Sequence, residues 1–263
     1  MCAACRAVII VAMSSMVFDL PENSSARAAR LLAAANELLV SRGAKGFTVA
    51  DVAARAHVGK GTVYLYWPTK EDLLLGLIGR EFLRQVEAVI QLLEADGDLA
   101  RPSRFCSTIV GLATSQPLIA ALQRNDHDLL GMLTDDPRSR SFHAELGPAA
   151  MLRVILPLWR ESGLARTDWE LEDQVFALNG LIGGFTMAIL DPSPGPVKAD
   201  DPLAVLGKAV TALLGPERAT KKAIRSTADR IDDHMRTCAT IAMRMITSSE
   251  ARKANGKGAS GAN

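Results

Sequence analysis

The sequence predicts an all-α fold, and three observations lead there. Apolar residues recur at helical spacing along almost every informative stretch. Only residues 8–11 read locally like a strand. Capping residues, glycines and prolines punctuate the pattern at helix-length intervals. With 263 residues, 48% of them hydrophobic, the chain can bury a sizeable core, and its length falls between one and two domains.

Ser24 and Ser25 can cap a first helix whose Leu31, Leu32, Ala35, Leu38 and Leu39 cover one face. It ends near Arg42-Gly43, a cation and a glycine where helices commonly stop. Two very short helices follow, at 49–56 and 60–66, and Pro68 forbids continuation. Thr69 opens a long helix reaching Ala95, with Leu73, Leu77, Ile78, Phe82, Val86, Val89, Ile90 and Leu93 as its apolar stripe. Further helices are expected at 102–114, 117–123, 126–134 and 138–162, with Pro148 and Pro157 breaking or kinking the last. A helix at 169–190 precedes a proline-rich loop, and the next ends near Leu214-Gly215-Pro216. A final helix at 221–248 leads into Gly/Ala/Ser/Asn-rich residues with the composition of a disordered tail. No repeat is visible at any period of about 20–50 residues.

The overall charge of +1 is uninformative, but its distribution is not. Residues 24–80 carry net +4, residues 81–216 net −7, and residues 217–263 net +5. A basic segment joined to an acidic body suggests a nucleic-acid face attached to something else. The four cysteines make no disulfide framework: Cys2 and Cys5 form a lone CxxC, while Cys106 and Cys238 stand singly in helical patterns. The longest unbroken apolar run, residues 7–13, is far short of the ~20 residues of a spanning helix and lacks a cleavage pattern. A cytoplasmic protein is therefore expected, with no membrane partner. Residues 1–23 are expected to be a disordered extension or a mis-assigned start, with Met13 and Met16 as other candidate starts beside Met1.

Residues 48–67 carry the most specific signal. Thr48 and Asp51 form a T-x-x-D capping box. Val49, Val52, Ala53 and Ala56 make a buried face of mostly small residues, which lets a second helix approach closely, as a helix-turn-helix requires. Val58 plugs the turn, and Gly59 can cap the next helix. Left outward on that helix are Lys60, Gly61, Thr62, Leu65 and Tyr66, groups able to meet phosphates and base edges. Thr69 and Asp72 form a second capping box. Lys70, in its first turn, gains nothing from the helix dipole, and its position is easiest to explain if a phosphate lies against that end.

On these residues the segment 48–74 resembles the DNA-binding region of the TetR family of transcriptional regulators. The match rests on Thr48, Val52, Ala53, Ala56, Val58, Lys60-Gly61-Thr62, Tyr64, Tyr66, Lys70-Glu71 and Leu73-Leu74. The resemblance implies phosphate contacts at Thr48, Tyr64, Tyr66 and Lys70, and groove-facing positions at Lys60, Gly61, Thr62 and Leu65. Tyr64 and Tyr66 can also serve as packing residues. The sequence departs from the family pattern at three positions: His57 stands where the turn usually has Gly, Gly59 replaces a capping hydroxyl, and Trp67 replaces a Phe. The chain divides on this reading into a helix-turn-helix head at 24–80, a helical ligand-binding and dimerisation body at 81–216, and a C-terminal helix with a tail at 217–263.

The resemblance further implies a homodimeric, ligand-responsive repressor of a near-palindromic double-stranded DNA operator, with a small apolar effector enclosed by the body. Phe105, Met132, Phe142, Met151, Trp159 and Phe176 are candidate pocket residues, although for each one ordinary core packing is the favoured reading. In helix 169–190, Leu171, Val175, Leu178 and Ile182 follow alternating steps of four and three, a helix-packing seam. Gly183 and Gly184 cost helix stability, so close approach of another helix is expected there. With Leu206 and Val210 these residues form the expected dimer interface. The C-terminal helix, with Ile224, Ala228, Ile231, Met235, Cys238, Ala242 and Met245 at four-three spacing, is expected to dock on the body and extend that interface.

No catalytic constellation stands out. The histidines His57, His127, His143 and His234 show no ligand spacing. Hence no enzyme, metal or cofactor is expected. Two other classes stay open on the sequence: a helical partner-binding module that has lost DNA, and an α-helical enzyme or metal carrier.

Overall fold

A computed structural model describes residues 20–116, 118, 137–191 and 199–256. Among them every regular element is helical. A single turn at Pro21–Ser24 leads into α1 (Ala26–Arg42), α2 (Val49–Arg55), α3 (Lys60–Tyr66) and α4 (Lys70–Ala95). After a 3-10 turn at Gly97–Ala100 come α5 (Pro102–Ser115), α6 (Pro137–Leu146), α7 (Pro148–Glu161), α8 (Leu171–Leu190), α9 (Pro202–Leu214) and α10 (Lys221–Gly256). The helices expected at 117–123 and 126–134, the strand-like 8–11, Met132 and the CxxC lie outside the described residues.

Local chemistry sets the boundaries of the first helices. Ser25 Oγ accepts from Ala28 N at the start of α1, and Gly43 closes it at φ 70°. Thr48/Asp51 and Thr69/Asp72 both form full capping boxes. The break expected at Pro148 is present, Gly147-Pro148 dividing 138–162 into two helices, whereas Pro157 sits inside α7 without ending it. One boundary needs correction. The helix expected to stop at 248 continues to Gly256.

Two hydrophobic cores divide along α4. Leu73, Leu74 and Leu77 pack with α1 to α3 around the fully buried Trp67. From Leu83 onward, Val86, Val89, Ile90 and Leu93 belong to the larger core formed with the body helices and α10. One rigid helix thus carries both cores. Residues 20–23, the described end of the expected extension, pack on the fold. Leu20 is buried, and Glu22 makes a two-pronged ion pair with Arg80, whose guanidinium also donates to Gly76 O.

Helix α10 docks on its own subunit, with α4 as its main partner. Ile224, Ala228, Ile231, Met235, Cys238, Ala239, Ala242 and Ile246 are buried along one stripe. It runs antiparallel to α4: Arg225 and Ala228 lie at Gly97, Arg236 pairs with Glu94, and Ile246 lies at Gly79. A Cβ on Gly79 would fall 2.6 Å from Ile246 Cγ1, so this glycine permits the close crossing. Docking beside α4 agrees with the expectation that this helix packs on the body.

Helix α8 is the one helix among the described residues long and apolar enough to cross a membrane, with mean hydropathy 1.3. The unbroken-run criterion misses it because Asn179, the glycines and Thr186 interrupt the run. In this fold its Val175 and Leu178 are buried in the body core.

Candidate nucleic-acid interface

The head is built so that α3 presents one edge outward on a fixed support. Val52, Ala53 and Ala56 are buried, and Val63 anchors α3 beneath them with no exposed surface. The turn between the helices closes through Val58 N to Ala53 O at 3.0 Å and His57 N to Ala54 O at 3.1 Å. His57 adopts φ 55°, the left-handed region that the family's usual glycine enters freely and that His tolerates better than a β-branched residue. Gly59 is the N-cap of α3 without a side-chain bond. The Thr48 capping box holds the Asp51 carboxyl below its ordinary range, chiefly by the hydrogen bond from the Thr48 hydroxyl and then from its backbone N–H.

On that support Lys60, Gly61 and Leu65 are exposed, Leu65 by 72%, with Thr62 and Tyr64 half-buried beside them. A Cβ on Gly61 would meet nothing within 4 Å, so no internal contact requires glycine there. An exposed leucine and a bare backbone next to a cation form the outward edge of this helix. Lys60 Nζ lies 5.9 Å from the Tyr64 ring centroid, above the same edge. Thr48 is exposed at the start of α2.

Two of the expected contact residues have tasks within the protein. Lys70 Nζ donates to Ala44 O at 2.5 Å and to Phe47 O, and sits 4.3 Å from the Phe47 ring centroid. It therefore ties the α1–α2 connection to the base of α4, which explains a cation in that unfavourable first turn without a phosphate. The Tyr66 hydroxyl is 2.7 Å from Ser25 Oγ, joining the end of α3 to the start of α1. Trp67 fills the head core beside Gly76, where a Cβ would stand 3.1 Å from its indole nitrogen.

The body residues also sort differently from expectation. Phe105 and Trp159 pack edge to face with centroids 5.8 Å apart, and Trp159 Nε1 donates to Ala100 O at 2.8 Å in the closed core. Phe142 and Met151 are half-buried against that core, Phe142 edge-on to Phe82 at 5.4 Å. Phe176 does not face the interior at all: it is 83% exposed. Conversely, Val175, Leu178, Leu206 and Val210 are buried inside the subunit, and Leu171 and Ile182 are half-buried against the same core. The four-three spacing marks the face that packs inward. The outward face of α8 carries Phe176, Gly180, Gly183, Gly184 and Met187, and Cβ atoms on all three glycines would meet nothing within 4 Å.

Sequence reading missed Arg138. It pairs with Asp72, already the carboxylate of the α4 capping box. A cation in the first turn behind Pro137 was the available signal, the same one used for Lys70. Among the described residues no group of three His, Cys, Asp or Glu side chains could hold a metal. Burial pushes the Cys106 thiol up to about 12, and the Cys238 thiol up to about 11.

This arrangement defines a helix-turn-helix head on an α-helical body. Residues 31–77 match the family model for bacterial regulatory proteins of the tetR family. The match covers the helix-turn-helix head, and the described remainder of the chain is all-α like that head. A search of curated proteins found no match. Among solved structures, the fatty acid degradation regulator FadR from Bacillus halodurans aligns at TM-score 0.54 and 17% identity, over 74% of this chain and 98% of that one. A transcriptional regulator from Saccharomonospora viridis in complex with choline aligns at TM-score 0.53 and 17% identity, over 72% and 95%. FadR from Bacillus subtilis in complex with stearoyl-CoA aligns at TM-score 0.50 and 20% identity, over 72% and 98%. At these identities the likeness is one of fold.

Proposed function

We propose that the protein is a ligand-responsive transcriptional repressor that binds a near-palindromic operator as a homodimer. One observation carries the reading: the outward edge of α3 presents Lys60, bare Gly61 with open space where a Cβ would be, Thr62 and the 72%-exposed Leu65. Placed in the major groove, that edge would bring a cation, a hydroxyl and an apolar group to base edges while the backbone at Gly61 approaches closely. Thr48 and Tyr64 would supply phosphate contacts from the flanks. Lys70 and Tyr66 would act there chiefly by holding the head's shape.

The reading divides the chain into the head at 24–80, the effector and dimer body at 81–216, and the C-terminal helix and tail at 217–263; the separate core of the head supports the first boundary, and α10 shares the body's core. The dimer would form through the outward face of α8, where Phe176 and Met187 flank three glycines that leave room for close approach of the partner's helix. The half-buried Phe82, Phe142 and Met151 suit a small apolar effector. Structural neighbours hold ligands as different as choline and stearoyl-CoA, so the fold alone does not select one. Effector binding would shift the separation of the two heads, a coupling free energy between distinct sites. A soluble cytoplasmic location fits this reading.

A mobility-shift titration on DNA upstream of the protein's own gene, repeated over a range of salt, tests it. Tight binding that weakens with salt, more steeply for wild type than for Lys60→Ala by about one unit of slope, is the expected result. Binding no tighter than to random duplex would leave the partner-binding alternative in its place.

A further inference from the structure

The head is attached to the body by α4 itself and by a second tie that crosses sequence. Asp72 is only 4% exposed and stands at the start of α4, directly behind the helix-turn-helix. Its Oδ2 accepts from Thr69 N at 3.0 Å and from Thr69 Oγ1 at 2.8 Å, closing the capping box. Its Oδ1 takes Arg138 Nη1 from the first turn of α6. Asp72 stands where the α4 cap favours a carboxylate, but its burial asks for a partner at Oδ1, and Arg138 stands in a first turn whose dipole opposes a cation. The pair gives the buried Oδ1 a partner and Arg138 a countercharge.

Its position gives it a consequence beyond stability. Helix α6 is a body helix: Phe142, one turn beyond Arg138, packs on Phe82, and α6 leads through Gly147-Pro148 into α7. Phe82 lies on the body half of α4 and Asp72 on its head half, on either side of the divide between the two cores. A displacement of α6 against α4 therefore pulls on the α4 cap, the same cap that fixes the turn after Trp67 and so the aim of α3.

We infer that Arg138 is a positioning residue for DNA reading: its pair with Asp72 makes the α4 cap and α3 follow α6, and so couples the effector body to the head. The inference rests on the proposed reading of the chain as an effector-controlled DNA-binding regulator.

Hydrogen exchange on the full-length protein tests it, with wild type, Arg138→Met and Arg138→Lys, alone and bound to a duplex selected from a random library by the wild type. Without DNA, Arg138→Met should speed exchange of amides at 69–76 about tenfold and leave α5 and α9 unchanged. With the duplex, wild type should gain protection in both α3 and α6. Arg138→Met should keep the α3 response and lose the α6 response, and Arg138→Lys should restore part of it. A merely structural role would not separate the two responses. The inference is overturned if α6 responds to the duplex equally in Arg138→Met, or does not respond in wild type. If the library yields no bound duplex, the DNA reading fails separately, and unchanged exchange at 69–76 in Arg138→Met then refutes the tie.

Discussion

Gly61→Ala should move stability and DNA binding in opposite directions. Gly61 is the second residue of α3, and a Cβ built there meets nothing within 4 Å. In a helix, Gly costs about 0.8–1.0 kcal/mol relative to Ala, somewhat less near an end, so the free protein should gain about 0.5–1 kcal/mol. For a chain of this size that raises Tm by about 1–4 °C. On DNA the same methyl occupies the space into which the backbone would approach a base pair or phosphate. Overpacking one methyl into a close contact costs about 1–3 kcal/mol, which lowers operator affinity about 5- to 150-fold. Differential scanning fluorimetry and fluorescence anisotropy on a labelled operator measure the two halves. A lower Tm would show that the fold itself needs this glycine. A higher Tm with unchanged affinity would show that nothing approaches α3 there, and the assignment of this edge to DNA would be wrong.

Other substitutions probe the remaining parts. Phe176→Lys places a charge on the outward face of α8, and light scattering should show a shift toward monomer with operator binding falling alongside; a full-strength dimer would remove that face from the interface. Ile231→Ala, at a position with no exposed surface under α10, should cost about 2–5 kcal/mol, read as the loss in denaturant midpoint, and a loss below about 1 kcal/mol would mean α10 is not firmly docked on α4. The Asp51 carboxyl is held below its ordinary 3.8, so its cap contributes above that value and the contribution is lost as pH falls through the lower folded value. Thermal melts between about pH 5 and pH 2 should therefore fall less steeply for Asp51→Asn than for wild type, and parallel curves would contradict the cap's role.

The head was legible because its signals are local. Capping boxes, a proline stop, small residues at helical spacing and a positive-φ turn position all act within a few residues, and each is where the sequence puts it. The body was legible as helices but not as surfaces. The spacing of Leu171, Val175, Leu178 and Ile182 reports that α8 packs, not whether its partner is the same chain, and the inward packing of Val175 and Leu178 answers that from the fold. Phe176 looked like a pocket residue by type, yet the side of the helix it occupies is set by tertiary context. Ties across long separations left little trace. Glu22 with Arg80, and Lys70 with the carbonyls of Ala44 and Phe47, depend on loop closure that no short-range pattern encodes. For Arg138 the misplaced cation was a usable clue, and only its partner needed the structure.

Selection of bound duplexes from a random library, followed by dimethyl sulfate footprinting at guanine N7 of the winner, tests the central claim most directly. The account predicts an enriched near-palindrome whose two half-sites are separated by about 10 base pairs or a multiple of that, protected in the major groove, with selection lost in Thr62→Ala. No enrichment over the starting library, or the same enriched sequence with wild type and Thr62→Ala alike, would contradict it.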